Sequence, residues 1–244
     1  MRSRLYSTDL AFIHDVAFGD FARHAAPGVV RMLQAAGIAA GVIVEAGCGS
    51  GILAAQLVAA GYDVLGIDQS AAMIRLARAN APAARFRVAS LAHAAIPPCR
   101  AIIAAGEVIT YVGRREAGAF FKRVRAALEP DGVLIFDFIE SAERRTYSPR
   151  SRHGDGWSLV ASADLNASGR ILTRRLQSTR QMDGRRRRSS ETHRVRIYPR
   201  DEMARMLRAA GFAFTMRRSY GRYKLLPGDV VVIARKACAR KSTI

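Results

Sequence analysis

Residues 42–51 of this chain, VIVEAGCGSG, constrain its fold more than any other segment. They begin as an apolar β-branched run, reach a carboxylate at Glu45, and continue into a loop with Gly47, Gly49 and Gly51. Glycine lets a backbone turn sharply and lets another group approach without a clash with Cβ. A strand that leads through such a loop into a helix is typical of α/β proteins that hold an adenosine-containing cofactor.

The chain after this loop alternates apolar strands with amphipathic helices, which indicates a parallel sheet with right-handed crossovers. Gly61 is a natural helix stop, Ser70 can cap the next helix, and Pro82 ends it. The predicted helices span 52–60, 71–80, 114–128 and 200–210, and the predicted strands span 42–45, 63–67, 85–89, 101–105, 133–137, 212–219 and 229–234.

The alternation stops after Glu140, where the sequence becomes polar and rich in Arg. Strand-like segments at 157–160, 170–180 and 187–198, with a hairpin turn at Asp183 and Gly184, predict an inserted antiparallel sheet. The predicted fold class is α/β: a Rossmann-like, mostly parallel seven-stranded sheet that ends in an antiparallel hairpin, with a small antiparallel β insertion after strand five.

Two kinds of cofactor fit a glycine loop of this type. A dinucleotide site needs G-x-G-x-x-G, but Ile52 occupies the place of the third glycine, and Glu45 would repel a diphosphate. S-adenosylmethionine has no phosphate, and its ammonium group can be held by an acid near the loop. The residues therefore favour S-adenosylmethionine over a nicotinamide or flavin.

The pattern E-x-G-x-G-x-G, followed by Asp68 after the next strand, resembles the first motifs of the class I S-adenosylmethionine-dependent methyltransferases. The resemblance covers most of the chain. It implies a cofactor-binding core at 1–140 and 200–244, in which 1–36 form N-terminal lid helices, and a β-rich cap at 141–199 over the acceptor pocket.

The resemblance also implies a set of cofactor-binding residues. Asp68 is expected to bind the ribose hydroxyls, and Ser90 stands where many relatives have an acid that contacts adenine, so the Leu91 amide is the remaining contact there. The full expected set is Phe12, Phe18, Glu45, Gly47, Cys48, Gly49, Gly51, Asp68, Gln69, Met73, Ser90, Leu91, Gly106 and Glu107.

Methyl transfer needs an aligned acceptor, and a general base can help when the acceptor carries a proton. Glu107 is the first candidate because it follows a buried strand at the edge where open α/β sheets bind ligands. Tyr111, His193 and His14 are the other candidates, each with a packing role as the alternative interpretation. Weaker pocket candidates are Trp157, Arg196 and Tyr220.

The formal net charge of +19 raises the possibility of a nucleic-acid partner. Only four of the 39 basic residues are Lys, and Ala is abundant, so GC-rich codon usage explains much of the excess. The one dense cluster, 185–188, fits a solvated turn as well as an anion site. A nucleic-acid partner is therefore not expected.

The sequence predicts a cytoplasmic protein, a monomer or homodimer, without membrane segment or signal peptide. Its three cysteines, Cys48, Cys99 and Cys238, are scattered, which fits reduced thiols, and no His/Cys spacing indicates a metal site.

The predicted function is transfer of a methyl group from S-adenosylmethionine to an oxygen or nitrogen of a small acceptor, with S-adenosylhomocysteine as product. One alternative is an RNA or protein methyltransferase that uses the Arg-rich surface, although Gly106-Glu107-Val108-Ile109 replaces the Asn/Asp-Pro-Pro-aromatic motif of amino-group nucleic-acid methyltransferases. The other alternative is a non-catalytic cofactor-binding or regulatory protein.

Overall fold

A computed structural model describes residues 5–142, 145–182 and 184–236 of the chain. Asp183 and Cys238, which the sequence analysis names, lie outside the described residues. Within the described ranges, no helix combines the length and the apolar character needed to cross a membrane.

The described elements follow the alternation expected from the sequence. Six α-helices and a short 3-10 helix at Val108–Tyr111 accompany the strands in these ranges. The helices are α1 (Thr8–Phe18), α2 (Asp20–Ala35), α3 (Ile52–Ala59), α4 (Ala71–Asn80), α5 (Arg114–Ala127) and α6 (Arg200–Ala209). The strands are β1 (Val42–Ala46), β2 (Asp63–Asp68), β3 (Arg85–Val88), β4 (Cys99–Ala104), β5 (Leu128–Ile139), β6 (Tyr147–Gly154), β7 (Trp157–Leu165), β8 (Ile171–Met182), β9 (Arg185–Arg196), β10 (Phe212–Arg217), β11 (Ser219–Tyr220), β12 (Tyr223–Lys224) and β13 (Asp229–Lys236).

The central sheet has seven strands in the order β10-β13-β5-β4-β1-β2-β3. The strands β1 to β5 pair in parallel, and β13 lies antiparallel between β5 and β10. The strand order reverses between β1 and β4, and open α/β sheets bind ligands outside the carboxyl ends of the strands at such a point. This architecture confirms the predicted fold class.

The middle strands are apolar throughout because both of their faces are covered. On β4, Ile102 packs into one core cluster, whereas its neighbours Ala101 and Ile103 pack into the cluster on the opposite face. On β5, Leu134 and Ile135 divide in the same way. The two cores fix the carboxyl ends of these strands, and with them the loops that carry the candidate site.

The insertion forms a four-stranded antiparallel sheet in the order β6-β7-β8-β9. The sequence did not predict β6, because its residues are mostly polar and lie on an exposed edge. One face of this inserted sheet packs on α1 in a cluster that includes Leu10, Ile13 and Leu159. The inserted sheet therefore lies against α1.

Several predicted boundaries were wrong, and two of them show the effect of pairing between distant segments. The sequence predicts a helix to 128 and a strand only from 133, but β5 already begins at Leu128, which pairs with Cys99 before the register shifts. The predicted strand 212–219 ends at Arg217, and Ser219 pairs instead with Lys224 in a separate two-stranded ladder. In both places pairing between distant segments outweighs the local turn signal.

Gly28→Ala is expected to lower the free energy of unfolding by about 1–3 kcal/mol or more, because overpacking forces the backbone to move. A Cβ at Gly28 in α2 would lie 2.2 Å from the carbonyl oxygen of Tyr220, and this close approach docks α2. Thermal or urea unfolding measures the loss. Gly118→Ala in α5 is the matched control: nothing lies within 4 Å of its Cβ position, so it should gain about 0.5–1 kcal/mol. Equal stability of the two variants would contradict the close approach.

Candidate active site

The glycine loop joins β1 to α3 in a conformation that glycine favours. Gly47, Gly49 and Gly51 have φ values of 74°, 52° and 78°. The Gly47 amide donates to the carbonyl of Ile67 at 2.7 Å, which ties the loop to β2. A Cβ at Gly51 would lie 2.9 Å from the Cα of Ala77, whereas the Cβ position of Gly49 faces open space. The loop is thus closely packed beneath and open at Gly49.

Asp68 lies at the carboxyl end of β2 and organises the edge of this loop. Its Oδ2 accepts from the Gly49 amide at 3.0 Å and its Oδ1 from the Ser70 amide at 2.8 Å. Burial raises the pKa of Asp68, and these backbone donors partly offset that rise. The carboxylate is therefore held in place beside the open glycine.

Glu45 is the second acid of the loop and is 4% exposed. Its Oε2 has no hydrogen-bond partner among the described residues. Burial, and then the charge of Asp68, raise the pKa of Glu45 to about 8. A buried carboxylate without a partner is costly, so this oxygen fits a cationic or hydrogen-bond-donating ligand group.

Ser70 connects the second predicted motif to the N-terminus. Its hydroxyl accepts from the Met73 amide at 3.2 Å, which caps α4, and donates to the Tyr6 carbonyl at 2.7 Å. Met73 is buried beneath this point, and Gln69 is exposed. The predicted adenine-side residues thus lie at the N-terminal end of α4, under the segment that carries Tyr6.

Ser90 and Leu91 lie after β3 in a local turn. The Ser90 hydroxyl accepts from the Ala92 amide at 3.3 Å, and the Leu91 carbonyl accepts from Arg123 at 2.7 Å. The Ser90 side chain therefore already accepts a hydrogen bond within its own turn.

The loop after β4 is pinned by a buried acid that no sequence pattern marks. Asp137 on β5 accepts from the amide of Gly106 at 2.9 Å, from the amide of Glu107, and from the hydroxyl of Tyr220 at 2.8 Å. Glu107 has a φ of 63°, which is unfavourable for a residue with a side chain. Asp137 thus holds a strained turn at the edge of the site. It also accepts a hydrogen bond from the hydroxyl of Tyr220, a predicted pocket residue.

Glu107 is paired with two arginines from distant segments. Its carboxylate accepts from Arg145 Nη1 at 2.5 Å and from Arg174 Nη2 at 2.7 Å, and Arg145 also pairs with Asp229. Burial alone raises the pKa of Glu107, but the two arginines outweigh burial and lower it. An ionised carboxylate held by two cations is a poor base, so the geometry favours a positioning role for Glu107.

Two predicted catalytic residues from distant segments lie together. The Tyr111 hydroxyl is 3.3 Å from His193 Nδ1, and His193 Nε2 is 3.0 Å from the Glu191 carboxylate. The Tyr6 hydroxyl lies 3.3 Å from that of Tyr111. His193 is 1% exposed. Sequence reasoning missed Tyr6, because no local pattern marks an aromatic residue ahead of a helix as a site residue.

Polar contacts tie the start of helix α1 to the inserted sheet and its later part to the glycine loop. Glu191 accepts from the amides of Tyr6 and Ser7, each at 2.7 Å, and so holds the segment just before α1 against the inserted sheet. Farther along the helix, Asn80 donates to Asp15 at 3.0 Å and to the Ser50 carbonyl at 2.9 Å. Helix α1 therefore bridges the inserted sheet and the glycine loop.

His14 lies on this helix beside the Tyr6 ring, with ring centroids 5.1 Å apart. Burial lowers the pKa of His14 to about 4, and its Nδ1 has no partner among the described residues. His14 is therefore uncharged at neutral pH and lies against the cluster of Tyr6, Tyr111 and His193.

Phe12 and Phe18, which the resemblance implies as cofactor contacts, each lie beside an arginine of the inserted sheet. The ring of Phe12 lies 3.7 Å from the guanidinium of Arg180 and, like Trp157, packs against the cluster that includes Leu10 and Leu159. Phe18 is 39% exposed, and Arg152 lies 4.9 Å from its ring. The apolar face of α1 packs against the inserted sheet through Leu10, Ile13 and Leu159, and the cofactor-binding roles of Phe12 and Phe18 stay predictions.

Two further residues named as candidates have defined surroundings. Arg196 pairs with Ile171 in the ladder between β8 and β9. Cys48 is buried next to the loop, and burial raises the pKa of its thiol. In the described part of the chain, no group of three or more His, Cys, Asp or Glu side chains is placed to hold a metal ion.

Comparisons with known proteins agree with this geometry. Residues 43–132 match the model of a methyltransferase domain. The chain is 34% identical over 130 residues to the ubiquinone biosynthesis O-methyltransferase of Rhodopseudomonas palustris, covering 52% of this chain and 48% of that protein. It is 36% identical over 115 residues to the trans-aconitate 2-methyltransferase of Paracidovorax citrulli, covering 45% and 43%. The chain thus aligns with about half the length of these relatives.

A solved structure shares the whole architecture. The S-adenosylmethionine-dependent methyltransferase from Clostridium acetobutylicum superposes with a TM-score of 0.80 at 14% identity, over 93% of this chain and 97% of that one. At such low identity the superposition shows a shared fold alone. Residues 43–132 of this chain therefore match a methyltransferase domain, and the chain has the Rossmann-like fold of that S-adenosylmethionine-dependent methyltransferase.

Proposed function

We propose that this protein transfers a methyl group from S-adenosylmethionine to an oxygen or nitrogen of a small-molecule acceptor and releases S-adenosylhomocysteine. The observation that carries the proposal is the pair of buried acids at the glycine loop. Glu45 has a carboxylate oxygen without a partner among the described residues, and Asp68 lies beside the open Gly49. Both acids lie within the residues that match a methyltransferase domain.

These residues fit the proposed cofactor chemically. Glu45 would attract the ammonium of its methionine part, and Asp68 would accept hydrogen bonds from its ribose hydroxyls. Because Gly47, Gly49 and Gly51 have no Cβ, the cofactor could lie close to the backbone of the loop. The bound cofactor supplies an electrophilic methyl group.

The rest of the reaction is left to the chain's own side chains. They align the acceptor and exclude water, and alignment of this kind is worth roughly 7–11 kcal/mol. Helix α1 lies between the inserted sheet and the side of the glycine loop held by Asn80, so it is suited to excluding water. Asp137 and the Glu107 ion pairs hold the β4 loop rigid, which is suited to alignment.

The proposed domain organisation is a core at 1–140 and 200–244, with lid helices in 1–36, and a cap at 141–199. It is supported by the contacts of His193 on β9, which meets Tyr111 of the core. A pocket roofed in this way suits a small molecule. The relatives' names, a ubiquinone biosynthesis O-methyltransferase and a trans-aconitate 2-methyltransferase, also point to small acceptors.

Several of the arginines are engaged in ion pairs within the chain, which agrees with a small-molecule acceptor rather than a nucleic acid. Arg174 is engaged by Glu107, and Arg187 and Arg180 lie at Asp9 on α1, at 2.5 and 3.7 Å. These cations hold the structure together instead of forming a free basic surface. We further propose a cytoplasmic location and a monomer or homodimer.

The proposal is tested by incubating the protein with methyl-labelled S-adenosylmethionine and separate extracts of small metabolites and of RNA and protein. Label in small molecules is the expected result. Label only in macromolecules would favour the RNA or protein methyltransferase, and tight cofactor binding without any transfer would favour a regulatory protein.

Cofactor binding is expected to release a proton from Glu45 near pH 7. The free protein holds this proton because the pKa of Glu45 is raised to about 8, whereas a ligand ammonium favours the carboxylate. Affinity should therefore rise with pH between pH 6 and 7, by up to about tenfold per unit. Calorimetry in two buffers with different ionisation enthalpies measures the proton. Glu45→Gln should bind more weakly and release no such proton; the same release from Glu45→Gln would place it elsewhere.

A further inference from the structure

Four side chains form an uninterrupted hydrogen-bonded row from the lid to the inserted sheet. The Tyr6 hydroxyl is 3.3 Å from the Tyr111 hydroxyl, which is 3.3 Å from His193 Nδ1. His193 Nε2 is 3.0 Å from Oε2 of Glu191. The members come from the N-terminal segment, the 3-10 helix after β4, and β9. Such a row is assembled only when the lid and the inserted sheet meet.

The chemistry of Glu191 gives the row a direction. Burial raises the pKa of Glu191, but hydrogen bonds from His193, Ser7 and Tyr6 lower it below its ordinary value, so the group is ionised and only accepts. The proton between Glu191 and His193 therefore lies on Nε2. In the neutral ring Nδ1 is then an acceptor, so the Tyr111 hydroxyl donates to it.

The Tyr6 hydroxyl is the donor at the far end of the row. Because Tyr111 uses its one proton toward His193, it accepts from the Tyr6 hydroxyl. Tyr111 is the hydrogen-bond partner of the Tyr6 hydroxyl in the described structure. Tyr6 Oη therefore keeps lone pairs that can accept a proton, and every donor in the row points toward Glu191.

Tyr6 also spans the edge of the sheet where the cofactor is proposed to bind. Its carbonyl accepts from Ser70 after β2, while its ring reaches Tyr111 after β4. Tyr6 has a φ of 53°, a strained conformation for a non-glycine residue that these anchors and Glu191 hold in place. The open end of the row is thus fixed between the residues that follow the carboxyl ends of β2 and β4.

We propose that Tyr6, Tyr111 and His193 relay the acceptor's proton toward Glu191, and that the methylated group is therefore a hydroxyl. This inference rests on the proposed function and selects between its oxygen and nitrogen acceptors. An amine attacks through a free lone pair and needs no base at that moment, whereas a hydroxyl must lose its proton as it is methylated. A proton relay therefore assists the methylation of an alcohol or a phenol.

The step balances. The acceptor oxygen bonds to the methyl carbon and displaces the thioether sulfur, which keeps the electron pair of the broken carbon–sulfur bond. The acceptor proton moves to Tyr6 Oη, the Tyr6 proton to Tyr111 Oη, and the Tyr111 proton to His193 Nδ1. The positive charge that leaves the sulfonium ends on an imidazolium paired with Glu191.

The surroundings support transfer through neutral phenols. Burial raises the pKa values of Tyr6 and Tyr111, so neither ionises by itself at neutral pH. Arg174 on β8 lowers the pKa of Tyr111 in opposition to burial and would stabilise transient negative charge on its oxygen. The other titratable neighbours are the ionised Glu107 and the uncharged His14. The imidazole at His193 is the base in this arrangement.

The first test needs no substrate. In protein labelled with ¹⁵N-histidine, NMR should show His193 as the Nε2–H tautomer, assigned by loss of its signals in His193→Gln. Glu191→Gln should remove that preference. An Nδ1–H tautomer in the unmodified protein would reverse the row and overturn the relay, whether or not the protein is a methyltransferase.

The second test measures transfer. Tyr6→Phe removes the terminal hydroxyl and keeps the ring. It should bind S-adenosylmethionine by calorimetry as the unmodified protein does, and lose about 10²–10⁴-fold in transfer rate, the usual contribution of general acid–base catalysis. The matched control is Tyr223→Phe, whose ring packs against Phe21 and His24. Equal rates for the two variants would overturn the role of Tyr6.

The third test identifies the methylated atom. The probe is S-adenosylmethionine with a ¹³C-labelled methyl group, incubated with the low-molecular-mass fraction of a bacterial extract. The methyl carbon shift of the product distinguishes oxygen from nitrogen. A methyl group on oxygen is expected, and one on nitrogen would overturn the hydroxyl assignment while leaving the proposed methyltransferase function intact. Failure of the protein to bind the cofactor would instead refute that function. The tautomer of His193 would then still show whether the row has the proposed direction.

Discussion

Asp137→Ala is expected to lower the free energy of unfolding by about 3 kcal/mol or more and to abolish methyl transfer. The buried carboxylate accepts from the amides of Gly106 and Glu107 and from the Tyr220 hydroxyl. Each buried donor that loses its partner costs about 1–3 kcal/mol. Glu107 also has a positive φ, and Asp137 is the β5 side chain that holds that turn.

Chemical denaturation and a transfer assay measure the two effects of Asp137→Ala. Tyr220→Phe removes one of the three donors and leaves the loop amides bound, so it should cost less stability and retain activity. If Asp137→Ala and Tyr220→Phe were equally stable, the acid would not be holding the loop.

The pH dependence of stability gives an independent check on Asp137. Burial raises its pKa to about 6, from an ordinary value of 3.8, although the three donors oppose the rise. The folded protein then binds this proton more tightly than the unfolded chain does. The contribution is fully present below the ordinary pKa and is lost as the pH rises through about 6. Asp137→Asn should remove this part of the pH dependence.

Asp68→Ala is expected to weaken S-adenosylmethionine binding by about tenfold to a hundredfold, since hydrogen bonds to a charged group are worth about 1.5–3 kcal/mol. The side chain would contribute in two ways. It would accept from the ribose, and it already holds the Gly49 and Ser70 amides in position. Its loss therefore removes a ligand contact and loosens the loop.

Calorimetric titration of the free protein with the cofactor measures the effect. Asp63→Ala is the matched control, because Asp63 begins the same strand and forms an exposed pair with Arg85 at 2.8 Å. Exposed pairs contribute about 0–1 kcal/mol, and this one lies at the opposite end of β2. Equal affinities for the two variants would place the ribose elsewhere.

The glycine loop shows which structural features the local sequence predicts. Three alternating glycines after an apolar strand predict a sharply turning backbone, and all three have positive φ values. The helix 71–80 was likewise predicted with its Ser70 cap. Such features depend on neighbours within a few residues, so periodicity and turn chemistry are enough to find them.

The strand β6 and the early start of β5 show where local sequence fails. The residues of β6 lack alternating apolar positions because the strand is an exposed edge. Leu128 is a strand residue because Cys99 pairs with it, although Pro130 and Gly132 signal a turn. Pairing energy from distant segments is absent from any short window of sequence.

The same limit applies to the candidate site. His193 and Tyr111 were single candidates in the sequence, but their contact joins residues 82 positions apart. Tyr6 meets Glu191 across 185 positions, and Asp137 meets Gly106 across 31. Nothing in a sequence pattern pairs these groups, because packing of the two sheets and α1 brings them together.

The sequence alone determined the strand–acid–glycine loop, the alternation that builds the parallel sheet, and hence the class of cofactor that the chain is proposed to hold. These properties follow from backbone freedom and from burial patterns along one segment. Only the tertiary structure decided how the candidate side chains are grouped. It paired Glu107 with two arginines, pinned its loop to Asp137, and aligned Tyr6, Tyr111 and His193 with Glu191, because burial in a folded core sets both the neighbours and the proton affinity of each group.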